Sequence, residues 1–187
     1  MVSIRPFGAT RPPASFFITL IEREKVIPVE MQDTPRVIRY WKKFLSTLPR
    51  DSPYRRRGYY AEKWGDTRET ADELGRLIAD GVKTATCSSV WEWEAEGRSV
   101  PEEGLITMVL DWNGDPLCLI ETVAVDIQPF HRVDERFAYE EGEGDRTLRY
   151  WREAHWRHFT RTLAAIGKRP SEDMLLVCER IRVIYKG

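Results

Sequence analysis

The chain has 187 residues, of which 42% are hydrophobic and 32% are charged, and its formal net charge is −1. These values predict a globular protein with a sizeable core, and they exclude a global basic field that would draw the whole molecule to nucleic acid. Three scattered cysteines exclude a disulfide framework and a zinc cage, and no apolar stretch has the length of a membrane span. We therefore expect a cytoplasmic protein with no membrane contact, metal or cofactor.

Residues 1–57 are predicted to form an N-terminal extension, and residues 58–187 the core domain. Residues 1–15 contain three prolines without periodicity, which predicts an irregular arm. Residues 16–21 are aromatic and β-branched, and they fit either a strand or the start of a short helix.

An amphipathic helix is predicted over residues 34–48. Thr34 followed by Pro35 is typical of a helix start, and Pro49 follows the last periodic residue. The apolar face needs a partner, which is either the core domain or a second subunit in a homodimer. Its members are Val37, Ile38, Trp41, Phe44, Leu45 and Leu48.

The next segments are a basic linker and a second helix. Residues 55–57 are all arginines, and they fit either a solvated linker or a phosphate contact. Apolar spacing predicts a helix over residues 69–79, with Asp66 as its N-cap and Glu69 as the returning half of a capping box. Gly81 supplies the left-handed residue that ends such a helix.

Residues 85–96 are compatible with two structures. Val90, Trp91 and Trp93 alternate with polar residues as in a strand, but the same stretch also reads as a helix ended by Gly97. The residue pattern leaves both open, and the family resemblance described below implies the helix.

A β-hairpin is predicted from two apolar runs, residues 105–110 and residues 117–125. The Asn113-Gly114 pair between them is one of the strongest short-range hairpin signals. Glu121 lies within the second strand among apolar neighbours, where a carboxylate is costly unless it is paired.

The C-terminal third is predicted to hold an acidic loop, a helix and the closing strands. The spacing of acidic residues in the loop 140–145 excludes a calcium-binding loop. Asp145 is expected to cap a helix over residues 147–166, and two strands follow at 174–178 and 180–185. Hairpins dominate the pattern, which predicts an α+β fold: a small mixed or antiparallel barrel flanked by helices.

A candidate ligand site follows the second helix, where Lys83 and the two hydroxyls of Thr84 and Thr86 lie among small residues. On this element and others in order along the chain, the sequence resembles the ASCH family over roughly residues 59–185. The resemblance implies a PUA-like β-barrel associated with RNA. The elements that carry it are Trp64-Gly65-Asp66, Ala71-Asp72-Glu73-Leu74, Gly81-x-Lys83-x-x-Thr86, Val90-Trp91-Glu92-Trp93-Glu94, Glu121-Thr122 and Cys178-Glu179-Arg180.

The resemblance implies a catalytic trio of Lys83, Thr86 and Glu121, because some ASCH proteins are amidohydrolases of acetylated cytidine. Thr86 would then attack the amide carbonyl, Lys83 would accept its proton, and Glu121 would take part in proton transfer to the leaving amine. A lysine acts as a base only if its pKa falls far below about 10.4, and an adjacent carboxylate opposes that fall. The alternative is a buried structural ion pair between Lys83 and Glu121.

Other members of the family are ribonucleases, so the resemblance also implies metal-independent RNA cleavage as a second possible activity. Lys83 with Arg146, Arg149 or His155 would supply the cations that this reaction needs. His155 and His158 have zinc-like spacing but lack a third ligand, and His155 shares the apolar stripe of its helix.

The ligand in either case is RNA or a nucleoside, held in a cleft that we expect to carry positive potential. An RNA-binding or protein-interaction module without catalysis remains the alternative, so the sequence leaves open whether this is an enzyme. The residues expected to contact ligand are Trp64, Gly81, Thr84, Ser88, Trp91, Trp93 and Arg146.

Overall fold

The computed structural model describes residues 34–187. The predictions for residues 1–15 and 16–21 lie outside the described residues. Within the described part, no helix is both long and apolar enough to cross a bilayer.

The described chain contains five α-helices and five strands. The helices are α1 (Pro35–Thr47), α2 (Arg68–Ala79), α3 (Val90–Ala95), α4 (Glu135–Glu141) and α5 (Leu148–Thr162), with short 3₁₀ turns at Pro53–Arg56, Phe130–Arg132 and Leu163–Ile166. The strands are β1 (Tyr60–Glu62), β2 (Ala85–Ser89), β3 (Ile106–Leu110), β4 (Pro116–Pro129) and β5 (Leu175–Tyr185).

The strands form one mixed sheet in the order β1-β3-β4-β5-β2, which curls into a half-barrel. β1 pairs with β3 in parallel, and the other pairs are antiparallel. The α+β prediction is therefore confirmed. Sequence patterning did not predict β1, which is only three residues long, and it divided the continuous strand β5 in two.

The predicted β3–β4 hairpin is confirmed. Its register runs from Ile106 opposite Glu121 to Leu110 opposite Pro116. Gly114 adopts a φ of +82° in the turn, a conformation that glycine reaches without strain.

The sheet is covered on both faces, and this decides where each side chain of β4 points. Alternate residues of the hairpin, Ile106, Met108 and Leu119, join the core under α1, together with Val37 and Phe44 of that helix. The hairpin residues that lie between these point to the other side of the sheet, toward α2 or the open cleft. The predicted α1 is thus confirmed, with Thr34 as its N-cap.

The expected helix over residues 85–96 is wrong for its first half. Residues 85–89 form β2, which pairs with β5 from Ala85 opposite Arg180 to Ser89 opposite Leu176. Ser89 then caps α3 in a capping box with Glu92, so the helix starts where the strand ends.

Two predicted caps are each displaced from the true N-cap. Thr67, not Asp66, caps α2, and Asp66 accepts a hydrogen bond from Arg161 at 3.0 Å instead. Thr147 caps α5, while Asp145 accepts hydrogen bonds from the backbone and hydroxyl of Thr147. Both helices start as expected, because the threonines satisfy the same exposed N–H groups.

Candidate functional site

A cleft of about 960 Å³ opens on the face of the sheet opposite α1. Thr107 and Ile120, which are register partners on β3 and β4, lie in its wall, and α3 and α5 contribute further side chains. This volume is in the range of small-molecule sites.

Lys83 enters this cleft because of the way α2 ends. Gly81 turns the chain with a φ of +69°, and the N–H groups of Val82 and Lys83 both donate to the Leu77 carbonyl, at 2.9 and 3.0 Å. The turn directs Lys83 inward, where it is only 2% exposed.

Two carboxylates of the acidic loop neutralise Lys83. Its Nζ donates to buried Glu141 at the end of α4, and to Glu143 at 2.7 Å. The loop approaches closely because Gly142 has a φ of +74°, and a Cβ there would lie 2.5 Å from the Val82 carbonyl oxygen. Glycine at this position therefore permits the ion-pair cluster.

Glu141 is the centre of this cluster. Trp151 Nε1 donates to it at 2.9 Å, and His155 Nε2 lies 3.4 Å from the same oxygen. Burial alone would raise the pKa of Glu141, but the charges of Lys83 and His155 outweigh it and hold that pKa well below the usual range. Burial would likewise lower the pKa of Lys83, but the two carboxylates hold it above its usual value. Lys83 is consequently charged at neutral pH.

The predicted pairing of Lys83 with Glu121 is wrong. Glu121 faces the α1 side of the sheet, where it accepts hydrogen bonds from Tyr54 at 2.9 Å, Arg57 at 2.7 Å and Arg182 at 2.8 Å. Burial raises the pKa of Glu121, but these three donors lower it below its usual value. Side chains alternate along a strand, so Thr122, and not Glu121, faces the cleft.

A second polar group of the cleft lies on the neighbouring strands β4, β5 and β2. Thr86 of β2 is directly opposite Glu179 of β5, so both side chains lie on one face, and both line the cleft. Thr122 donates its hydroxyl proton to Glu179 at 2.9 Å. Burial raises the pKa of Glu179 to about 7, the bond from Thr122 opposes that rise, and the charge of Glu62 adds to it.

Glu62 of β1 is the other carboxylate of this wall. It accepts a hydrogen bond from Trp64 Nε1 at 2.8 Å, and burial raises its pKa. Glu62 and Glu179 line one cleft because the sheet curls, although β3 and β4 lie between their strands β1 and β5.

The other predicted ligand contacts divide into two groups. Trp64, Ser88 and Trp93 line the cleft, and Trp93 Nε1 donates to the Ser88 hydroxyl at 2.7 Å. The remaining four do not line it: Trp91 packs on the core, Arg146 lies over the Tyr139 ring, Thr84 donates to the Glu140 carbonyl, and Gly81 is exposed at the helix end.

The cleft is acidic, contrary to the predicted positive potential. Nine acidic side chains line it, against five lysines and arginines and two histidines. Three of the lysines and arginines are held by acids: Lys83 as described, Arg98 by Glu96 at 2.9 Å, and Arg161 by Asp66 at 3.0 Å. A polyphosphate would meet net negative charge here.

Cys87, Glu141 and His155 place three metal-ligand atoms within 4.8 Å of one another. Both oxygens of Glu141 are already engaged by Lys83, Trp151 and His155. A cation at this point would compete with the Lys83 ammonium and the Trp151 N–H for Glu141, so the residues present do not fit a metal.

Sequence reasoning missed Glu141, Glu143 and Glu179. The signal for the first two is an acidic pair that flanks a glycine, Glu141-Gly142-Glu143, in a loop whose spacing excludes only a calcium site. Glu179 was a polar residue between two apolar runs of β5, the same kind of signal that singled out Glu121.

Comparisons with known proteins identify the family of the chain. The ASCH domain family model matches residues 61–185. A solved ASCH domain from Lactobacillus crispatus is 33% identical, with a TM-score of 0.77 over 81% of this chain and 96% of that one. A protein of known structure from Enterococcus faecalis is 36% identical, with a TM-score of 0.69 over 80% of this chain and 88% of that one. A search of curated proteins finds no match. The chain therefore belongs to the ASCH domain family.

Proposed function

We propose that this protein binds a nucleoside in the cleft and hydrolyses an acyl amide on the exocyclic amine of its base. The observation that carries the proposal is the buried cluster of Lys83, Glu141 and Glu143 in a nucleoside-sized cleft that Thr86 also lines. Acyl transfer needs a nucleophile and a fixed positive charge that stabilises the developing oxyanion, and this cleft is lined by a hydroxyl and a buried ammonium.

In this reaction the Thr86 hydroxyl attacks the acyl carbonyl, and the Lys83 ammonium stabilises the negative oxygen that forms. Lys83 acts as a cation, and not as the base expected from the family resemblance, because its two carboxylate partners hold its pKa above the usual value. The proton acceptor is then one of the carboxylates of the cleft.

The charge of the cleft favours a nucleoside over an RNA strand as substrate. Acidic side chains outnumber basic ones around it, which opposes a run of phosphates but not an uncharged base and sugar. Trp64 and Trp93 line the same cleft and offer aromatic surface to a base.

The test is the turnover of acetylated cytidine, measured by chromatographic release of cytidine. We expect turnover in the parent, and a loss of at least about 100-fold in Thr86→Val, which removes the nucleophile and keeps the shape of the side chain. Glu121→Gln is the matched control, because it alters a buried carboxylate on the opposite face of the sheet. A parent protein without turnover, or a fully active Thr86→Val variant, would exclude the proposed hydrolysis.

RNA binding without turnover is a second candidate, favoured by the outer face of α1. Arg39, Lys42 and Lys43 are exposed there, and α1 contains no acidic residue. The test is the affinity for a labelled oligonucleotide at increasing salt, in the parent and in a variant with all three residues changed to Gln. Binding to this face requires a steep salt dependence that the variant reduces.

A further inference from the structure

Glu179 stands apart from the ion-pair cluster, and neither the Lys83 cluster nor the resemblance assigns it a role. It is 8% exposed, and its one hydrogen bond among the described residues is the proton donated by Thr122 to Oε2. Its other oxygen, Oε1, accepts no hydrogen bond from the described residues, and the side chain lines the cleft.

Glu179 lies directly across the β2–β5 pair from the proposed nucleophile. Thr86, the proposed nucleophile, is its register partner on β2. Among the titratable groups that line the cleft are Glu62 on β1, Cys87 on β2, Glu141 on α4 and His155 on α5. Of these four, Glu141 and His155 are bound to each other and Glu62 is held by Trp64.

We propose that Glu179 contacts the exocyclic amine of the bound base and carries the proton that passes from Thr86 to that amine. This inference rests on the proposed function. The ligand class is a nucleoside whose base bears an exocyclic amine, acylated in the substrate and bare in the product.

The steps balance as an amide hydrolysis. The Glu179 carboxylate takes the Thr86 hydroxyl proton as the Thr86 oxygen bonds to the acyl carbon and the carbonyl electrons move to oxygen. The carbon–nitrogen bond then breaks, and the carboxyl returns its proton to the leaving nitrogen, which leaves an acyl-threonine. Water attacks the acyl carbon, Glu179 accepts the water proton, and that proton returns to Thr86 as the acid leaves.

A pKa of about 7 suits this role, because the group can both accept and release a proton near neutral pH. Glu141 is unsuited, because Lys83 and His155 hold its pKa far below neutrality.

The first measurement is the pH dependence of turnover of acetylated cytidine in the parent, Glu179→Gln and Glu62→Gln. In the parent we expect kcat/KM to rise with pH through about 7, and in Glu179→Gln we expect a loss of about 100-fold or more at every pH. Glu62→Gln removes a charge that raises the pKa of Glu179, so the rise should move to lower pH. An active Glu179→Gln variant with the parental pH profile overturns the proposal while leaving the proposed hydrolysis intact.

The second measurement is binding of the product cytidine, followed by tryptophan fluorescence at pH 6 and pH 8. The amine of cytidine donates more strongly to a carboxylate than to a carboxyl, so we expect tighter binding at pH 8 in the parent and equal binding in Glu179→Gln. This binding measurement can be made even if the parent shows no turnover. Absence of turnover would exclude the proposed hydrolysis but not the contact between Glu179 and the amine. Cytidine affinity that ignores both pH and the substitution, or no cytidine binding, overturns the contact with the amine.

Discussion

The two faces of the sheet each hold an ionic cluster, and the clusters differ in what surrounds the charges. On the α1 face, Glu121 is held by Arg57 and Arg182, whose side chains are 41% and 63% exposed. On the cleft face, Lys83 and Glu141 are 2% and 1% exposed. Water can solvate Glu121 if either arginine is removed, but no water reaches a charge of the second cluster that has lost its partner.

The comparison teaches that similar ion pairs carry different weight on the two faces. The Glu121 cluster attaches the 3₁₀ turn before β1 to the sheet, because Tyr54 of that turn donates a hydrogen bond to Glu121. The Lys83 cluster places fixed charge in a cleft, where the proposed reaction would use it. Removing one member of each cluster should therefore give unequal losses.

The largest effect is expected for Lys83→Met. This change leaves Glu141 buried without its cation, so the free energy of unfolding should fall by about 3–5 kcal/mol, measured by urea denaturation. Adding Glu141→Gln should recover part of that loss while leaving turnover absent. Equal stability of Lys83→Met and the parent would contradict the distinction between the two faces.

The next effect concerns pH and Glu179. Its pKa is raised from 4.5 to about 7 in the folded state, so the folded protein binds a proton that the unfolded chain releases between these values. Stability is therefore highest below pH 4.5 for this group and is lost as pH rises through 7, by about 3 kcal/mol. Comparing the slope of unfolding free energy from pH 5 to pH 8 in the parent and in Glu179→Gln isolates this contribution. The variant must show the less negative slope.

Gly142→Ala should disturb the cleft face alone. Its left-handed φ and the Val82 carbonyl 2.5 Å from an added Cβ both oppose the change. Gly114→Ala is the matched control, because that residue has a similar φ of +82° and no atom within 4 Å of the Cβ. We expect thermal unfolding to show a loss for Gly142→Ala about 2 kcal/mol larger than for the control. Equal losses would mean that the loop moves aside freely.

The smallest effect is expected for Glu121→Gln. Gln keeps the volume and still accepts hydrogen bonds, and the arginine partners are solvated, so the unfolding free energy should fall by only about 1 kcal/mol. Turnover of acetylated cytidine should be unchanged. A Glu121→Gln variant that folds normally but loses turnover would show that Glu121 takes part in the reaction.

Local signals predicted the elements well and the site in part. The Asn113-Gly114 turn and the threonine-proline start of α1 act within a few residues, so the hairpin and the helix follow from the chain itself. Trp64, Ser88 and Trp93 in the cleft were predicted because the family motif contains them or lies beside them. The division of residues 1–57 from residues 58–187 and the homodimer through α1 stay predictions.

The partner of Lys83 was a different kind of problem. Along the chain, Glu141 is 58 residues from Lys83 and Glu121 is 38 residues from it. No local sequence pattern indicates which of two such distant carboxylates pairs with the lysine. β4 is covered on both faces, so its apolar residues do not alternate and the direction of Glu121 was hidden.

The sequence by itself determined the helices and strands that have strong local signals, the ASCH motif, and the presence of a lysine and hydroxyls just past a helix end. Tertiary structure alone decided which carboxylates meet Lys83, which face of β4 carries Glu121, and that Glu179 lies opposite Thr86. The physical reason is range. Caps, turns and periodicity act over a few residues, whereas the charge state and orientation of a buried group depend on every element packed around it.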